Sequence, residues 1–209
     1  MMKRALLLLS LLAAPCVATS CKDDTAPATS TAMVLSLDKL CDFYRLAGAS
    51  DKEIYIFRAG YEGDTATLGN LKNRRLIDFY CVGAAAGGHK ELVQLMLDKG
   101  ANNYNDGLAC AAWGGHMGLV QLMLDKGADP NNGLSGAALG GHLDIVQLML
   151  DKGANNYNDG LRAAAKYGHK DVVQLMLDKG ATNLDYALRE SESYGHTECA
   201  ELIRAAKAK

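Results

Sequence analysis

The feature that most constrains this fold is a block of about 27 residues that recurs from near Tyr80 to the end of the 209-residue chain. The copies register on five Gly-His pairs, whose histidines are separated by 27, 26, 27 and 27 residues, and the chain has no other histidine. Such a period predicts stacked copies of one small unit, because a single unit cannot bury its own apolar face. The pairs are Gly88-His89, Gly115-His116, Gly141-His142, Gly168-His169 and Gly195-His196.

Each copy is predicted to form two helices that meet at the Gly-His pair. Five of the six residues 92–97 are apolar, a broad stripe that suits a helix buried on most of its circumference. Asp98-Lys99-Gly100 then indicates an exposed last turn closed by glycine. Small residues precede each pair, as at Ala111-Ala112, and let neighbouring helices approach closely. The unit is therefore helix, Gly-His turn, helix and loop.

The repeated string Gly-Leu-x-x-Ala-Ala-x-x-Gly-His-x-x-x-Val-x-Leu-Met-Leu-x-x-Gly-Ala resembles the ankyrin repeat over roughly residues 76–209. The family's unit usually runs to 33 residues, and its Thr-Pro-Leu-His opening is here reduced to Gly-Leu, as at Gly107-Leu108. The missing residues belong to the family's projecting β-hairpin finger. The resemblance therefore implies an all-α solenoid of stacked ankyrin-like repeats, with short loops at residues 102–106 and their counterparts in place of full hairpins.

Four segments are predicted along the chain: a signal peptide at 1–20, a flexible polar tether at 21–32, capping helices with a divergent repeat at 33–78, and repeats with a C-terminal cap at 79–209. Residues 33–46 read as an amphipathic helix that closes the N-terminal end. Residues 52–64 read as the first helix of the divergent copy, and 68–76 as its second. The last copy decays into a solvent-facing cap with charges at Arg189, Glu190, Glu192, Glu198, Glu201 and Arg204.

The N-terminus carries Lys3-Arg4 and then ten mostly apolar residues, the pattern of a secretory signal that is too short to span a bilayer. With Cys21 after small residues, the segment resembles the signal of a bacterial lipoprotein, in which Cys21 would be acylated. Simple cleavage without lipidation stays open, as does a retained hydrophobic helix that docks on the solenoid. We expect an exported protein, periplasmic or membrane-anchored through this lipid alone; the alternative is a cytoplasmic one.

The sequence predicts no catalytic site, no metal site and no cofactor. Stacking places successive histidines about 10 Å apart, too far for shared ligation at bond lengths near 2 Å. The resemblance implies instead that each imidazole bonds backbone groups at the interhelical turn. Nucleophile elbows and phosphate-binding glycine loops are absent from the sequence. Four cysteines with no paired spacing read as small buried core residues, and their redox state is left open: Cys41, Cys81, Cys110 and Cys199.

Positions that vary between copies indicate where a partner binds, because fold-defining positions repeat. In the ankyrin family the two positions before each Gly-His pair lie on the concave, partner-binding face. We therefore expect a monomeric scaffold for an unidentified protein partner; the alternatives are a cysteine-based redox or peroxide-protective protein and a passive spacer. Nucleic acid is excluded because each repeated lysine follows an aspartate, as in Asp98-Lys99. The candidate contact residues are Trp113, Leu139, Lys166, Tyr167 and Tyr194, with Tyr104 and Tyr157 at the loops; packing of Trp113 on Leu139 is the competing explanation.

Overall fold

The structure is a computed structural model that describes residues 37–208. Within this range the secondary structure is helical, without a strand, and the predicted all-α solenoid is confirmed. A 3₁₀ helix, Thr65–Asn70, follows α2. The α-helices are α1 Leu37–Leu46, α2 Asp51–Glu62, α3 Arg74–Gly87, α4 Lys90–Asp98, α5 Tyr104–Trp113, α6 Met117–Asp125, α7 Pro130–Gly140, α8 Leu143–Asp151, α9 Tyr157–Tyr167, α10 Lys170–Asp178, α11 Leu184–Ser193 and α12 Thr197–Lys207.

The helices stack in two rows, because each pair is linked by a tight turn and each loop returns the chain to the first row. Neighbouring inner helices, α2, α3, α5, α7, α9 and α11, contact one another more extensively than the outer helices do. Small residues allow this approach: a Cβ at Gly83 would clash with the Phe57 carbonyl, and one at Gly136 with the Ala109 carbonyl. The tighter inner row places the concave surface on its side of the array.

A single apolar core runs between the two rows. Each outer helix except the last, α12, turns a valine or isoleucine and a methionine inwards, as at Val120 and Met123, which are at most 1% exposed. The reduced Gly-Leu opening has a packing reason, since a Cβ at Gly107 would lie 3.0 Å from the Met123 sulfur. The leucine beside it, Leu108, is fully buried in the same core. Glycine at this position is therefore part of the core, near the start of α5.

The divergent N-terminal copy differs from the prediction in its second helix. Residues 68–76 do not form one: the 3₁₀ helix ends at Asn70, and α3 begins at Arg74, where the Asn73 side chain accepts a bond from the Leu76 N–H. Asn73 is an effective helix N-cap, so it starts a new helix where apolar spacing alone suggests a continuing one. Helix α3 thus spans position 79, at which the predicted repeats begin.

Hydrogen bonds and an ion pair hold the start of α2. The Ser50 side chain accepts from the Glu53 N–H while the Glu53 carboxylate accepts from the Ser50 N–H, a complete capping box. Glu53 also pairs with Arg75 of α3. Burial raises the pKa of Glu53, but the Ser50 and Arg75 bonds outweigh it and leave this pKa below its usual value.

The C-terminal copy has the expected polar exterior. Arg189, Glu192, Glu198, Glu201 and Arg204 are exposed. Arg204 Nη2 lies 2.5 Å from Glu192 Oε1, and Lys207 of α12 pairs with Asp185 of α11. Glu190 is the exception, because it is only 8% exposed. The predicted signal, the tether and Cys21 lie outside the described residues.

Candidate partner-binding surface

The histidines tie each repeat to the one before it. His142 Nε2 donates to the Trp113 carbonyl oxygen at 2.9 Å, and three other histidines make the equivalent bond. The acceptor lies in the last turn of the preceding inner helix, next to that copy's interhelical turn, so each bond joins two copies. The other pairs are His89 to Tyr61 (2.8 Å), His116 to Ala86 (3.0 Å) and His169 to Leu139 (3.0 Å).

The glycine of each pair makes room for the next histidine. Gly115 has a φ of 76°, a left-handed conformation, and a Cβ there would lie 2.6 Å from His142 Cε1. Glycine is thus required twice, for its backbone angle and for the imidazole beside it. Gly195 shares the angle, with φ 77°, but a Cβ there would meet open space. The histidine of the same copy also differs from the others, because His196 Nε2 is buried without a hydrogen-bond partner among the described residues.

A second set of bonds between repeats replaces the missing hairpin fingers. Eleven residues before each of the first four histidines stands an amide or carboxylate side chain that accepts from backbone N–H groups of the next loop. Asn131 Oδ1 accepts from Asn155 at 2.9 Å and from Asn156 at 3.0 Å. Sequence reasoning missed this role, although the repeated spacing carries the signal. The remaining acceptors are Asp78 for Asn102, Asn105 for Asp129, and Asn158 for Thr182 and Asn183.

Helix α1 covers the N-terminal part of the concave surface. Its Leu40 and Cys41 are buried against an apolar cluster on the inner helices that includes Phe57 of α2 and Val82 of α3. The Tyr44 ring lies 4.8 Å from that of Phe57, centroid to centroid. The Tyr44 hydroxyl lies 3.5 Å from the sulfur of Cys110 in α5. This helix therefore reaches across three inner helices and covers the surface that they form.

The candidate contact residues before the Gly-His pairs differ in exposure. Trp113 and Leu139 are half-buried at the edge of the same apolar cluster. The Trp113 ring lies 6.5 Å from that of Tyr61, which gives it a packing partner in the N-terminal copy. Lys166 is 8% exposed and Tyr167 is 7% exposed. Two of the five residues are therefore largely buried, although Lys166 occupies the same register position as the half-buried Trp113 and Leu139.

The remaining tyrosines lie at different places. Tyr194 is half-buried after α11, and its ring centroid is 5.2 Å from Lys166 Nζ. Tyr104 and Tyr157 are the first residues of α5 and α9, and both pack against the central core. They are thus helix residues, since each loop ends one residue before them. The predicted contact residues are spread over the inner row, and three of them continue the apolar cluster next to α1: the half-buried Trp113 and Leu139 and the largely buried Tyr167.

Beyond Leu139 the concave surface becomes polar. Arg162 of α9 and Arg189 of α11 both lie near the ring of Tyr186, with Cζ-to-centroid distances of 5.8 and 6.0 Å. The Glu190 Oε2 atom is buried and has no hydrogen-bond partner in residues 37–208. Sequence reasoning selected Lys166 and Tyr194 in this region but not the two arginines or Tyr186, which lie further from the Gly-His pair.

The four cysteines of the described region are free and buried. Burial raises the pKa of Cys81 and of Cys110 to about 12, and that of Cys199 to about 11. Burial also raises the Cys41 pKa. Thiols with such pKa values are almost entirely protonated at neutral pH, and only the thiolate is a good nucleophile. Among residues 37–208, no three His, Cys, Asp or Glu side chains cluster closely enough to hold a metal ion.

One acidic group beside α1 has a strongly perturbed pKa. Burial, and secondarily the charge of Asp78, raises the pKa of Asp106 to about 6, while a bond from Asn103 opposes the shift. Burial likewise raises the pKa of Tyr44 well above its usual value, with the neighbouring Cys110 and Asp106 adding to it. Asp106 therefore titrates near neutral pH, at the point where α1 meets α5.

The C-terminal part of the array matches a known protein family. A family model for ankyrin repeats matches residues 134–209 as three copies. These residues are ankyrin repeats. The match covers most of α7 and all of α9 and α11, with their Gly-His turns. No curated protein matches the chain. Within the described residues, no helix is both long enough and apolar enough to cross a membrane.

Proposed function

We propose that this chain is a scaffold that holds a partner protein on its concave surface and performs no chemistry of its own. Ankyrin repeats generally mediate protein-protein interaction. The observation that carries the proposal is the pair Trp113 and Leu139, two large apolar side chains left half-buried on the inner face where α1 ends its cover. Partly exposed aromatic side chains of this kind supply much of the binding free energy at protein interfaces.

Site-specific photo-crosslinking in the native cells tests this proposal. A benzophenone amino acid replaces Trp113 in one variant and Gln121, which is exposed on the outer helix α6, in the other. We expect a crosslinked adduct of defined mass from position 113 and none from position 121. The same adducts from both positions, or none from either, would contradict a concave binding surface and favour a passive spacer.

We also propose that the scaffold is exported, with Cys21 as the first residue of an acylated mature chain. The support is the charged and apolar N-terminal pattern that ends in small residues before Cys21. Mass spectrometry of the N-terminal peptide, with fractionation of the native cells, tests it. An acylated Cys21 in the membrane fraction supports a lipoprotein, whereas an unprocessed Met1 in the cytosol would contradict export and leave the scaffold proposal unaffected.

A further inference from the structure

We infer that the end of the concave surface formed by α9 and α11 binds an acidic segment of a partner protein. This inference deepens the proposed function and rests on it. The α9–α11 patch consists of Arg162, Lys166, Tyr186, Arg189 and Glu190. It combines cations, an aromatic ring and one unsatisfied acceptor on a chain whose formal net charge is −2.

The cations are confined to the last two copies of the repeat. At the position seven residues before the histidine, successive copies carry valine, alanine and serine, and then arginine twice. At the position three residues before it, a lysine occurs only in the fourth copy. The concave surface thus changes from apolar to cationic along its length. The residues seven positions before the five histidines are Val82, Ala109, Ser135, Arg162 and Arg189.

Tyr186 lies close to both arginines. The two guanidinium carbons lie 5.8 and 6.0 Å from its ring centroid, within the range of favourable cation–π contact. A guanidinium beside an aromatic face keeps its terminal N–H groups available for a carboxylate, which it can bind bidentately. Arg189 is exposed, whereas the Arg162 side chain is 18% exposed and lies 3.8 Å from Asp159, whose side chain is 56% exposed. A carboxylate of the partner can replace Asp159 beside Arg162, because their ion pair is long and the Asp159 side chain is solvated.

Glu190 adds a feature that favours protein over nucleic acid. Its Oε2 atom is buried and lacks a hydrogen-bond partner among residues 37–208, a situation that costs free energy until a donor arrives. A peptide offers N–H donors beside its carboxylates, whereas a phosphodiester backbone offers none. The patch therefore fits an acidic peptide segment better than DNA or RNA.

The surface next to the α9–α11 patch indicates that the partner segment also carries apolar side chains. Helix α1 already covers the N-terminal part of the concave surface. Between α1 and the patch lie the half-buried side chains of Trp113 and Leu139. A partner segment that spans both regions carries apolar side chains for these two residues and carboxylates for Arg162 and Arg189.

A binding assay with the full chain tests the inference. The probe is a fluorescein-labelled amphipathic peptide of leucine and glutamate, and its counterpart has every glutamate replaced by glutamine. We expect the glutamate peptide to bind, with affinity that falls as sodium chloride is added. In the R162A/R189A variant, binding should weaken at least about tenfold. The matched control, K99A/K126A, removes two exposed cations from the outer helix ends and should bind as the parent chain does.

Several results would overturn the inference: equal binding of both peptides, an equal loss in K99A/K126A, tighter binding of an oligothymidylate, or no binding. If both peptides bind and only Trp113→Ala weakens them, the scaffold proposal stands while the acidic partner fails. The chain's own Asp23-Asp24 pair is the competing occupant. Substantially tighter peptide binding by D23N/D24N would assign the patch to that segment and overturn an external partner.

Discussion

Each of the first four Gly-His pairs performs two structural tasks with adjacent residues. The glycine adopts a left-handed conformation and leaves room for the imidazole of the next copy, while the histidine bonds a carbonyl of the previous one. A side chain at the glycine would therefore disturb two repeats, not one turn. This explains why the pair is kept in the first four copies, whereas the residue before it changes from glycine to tyrosine in the fourth.

Replacing Gly141 by alanine should lower the free energy of unfolding by about 2–4 kcal/mol. Alanine at Gly141 brings both the strain of its φ of 75° and a clash with the His169 ring, whereas at Gly195 it brings the strain of a φ of 77° alone. Gly195→Ala is thus a matched control that should cost about 1–2 kcal/mol. Urea denaturation measures both, and equal losses would refute a role of the imidazole.

Asp106→Asn should stabilise the protein at neutral pH. The folded pKa of about 6 lies above the unfolded value of about 3.9, so the ionised carboxylate destabilises the native state above pH 6. As pH falls from about 6 to about 4, the native state takes up the proton first and this cost disappears. We expect a gain of about 1–3 kcal/mol near pH 7.5 and a smaller gain near pH 4.5.

Asp159→Asn is the control for this measurement, because Asp159 occupies the same Asn-Asp-Gly-Leu sequence in α9 but is exposed. It should change stability by less than about 0.5 kcal/mol at both pH values. Thermal melts across the pH range give both results. A gain for Asp106→Asn that does not depend on pH would show that ionisation of this carboxylate is not its cause.

At the scale of elements, α1 does more than close one end of the stack. It lies antiparallel to α2, with Asp38 paired to Arg58 and Arg45 Nε 3.7 Å from Asp51. Its apolar side contacts α2, α3 and α5, so the buried state of Cys110 depends on a helix distant in sequence. Accessibility of that thiol to a reagent therefore reports whether α1 is in place.

Leu40→Asp should release α1 and expose two thiols, Cys41 and Cys110. Leu40 is 5% exposed in the apolar contact, and an aspartate there would bury a charge without a partner. In a chain with Cys16 and Cys21 replaced by serine, native Ellman titration should detect no thiol in the parent and two in the variant. Cys81 and Cys199 should stay unreactive in both. Rapid reaction of the parent thiols would instead support the redox alternative.

At the scale of the whole molecule, two series of bonds couple neighbouring repeats along opposite ends of the inner helices. The histidines bond carbonyls at the turn end, and the residues eleven positions earlier bond loop N–H groups at the other. A 27-residue unit can omit the β-hairpin because one side-chain amide per repeat satisfies the loop backbone that a hairpin would otherwise pair. Coupling between repeats in such an array is a nearest-neighbour property.

Asn131→Ala should weaken this coupling at a single junction. The substitution leaves the N–H groups of Asn155 and Asn156 without their acceptor, at a cost of about 1–2 kcal/mol. Native-state hydrogen exchange should show faster exchange at these two amides, with little change at Asn102. Asn131→Asp retains an acceptor and should preserve protection. Uniform acceleration throughout the array would mean that the bond acts on global stability and not on one junction.

The fold could be predicted well from the sequence, whereas the exposure of the surface residues could be predicted less well. The period, the apolar stripe and the Gly-His pairs determine the stacking, because every copy repeats the same contacts. Tyr167 was predicted to contact a partner, but it is 7% exposed, since a position free to vary can still face the next repeat. The position of α1 could not be predicted, because its amphipathic pattern does not specify which apolar surface it covers. Variation between copies identifies non-core positions but does not measure their exposure.

Because each of the first four histidines bonds the copy before it, adding a repeat at one end of the array differs from adding one at the other. A further copy joined after the last one would bring its own histidine to the open space beside Gly195, and the unit already there would need no change at its turn. A copy inserted before α2 would meet Gly63-Asp64 in place of a Gly-His pair, so no histidine would reach back to it, and it would displace α1. Tandem duplication at the C-terminal side is therefore the simpler way for such a gene to gain or lose repeats.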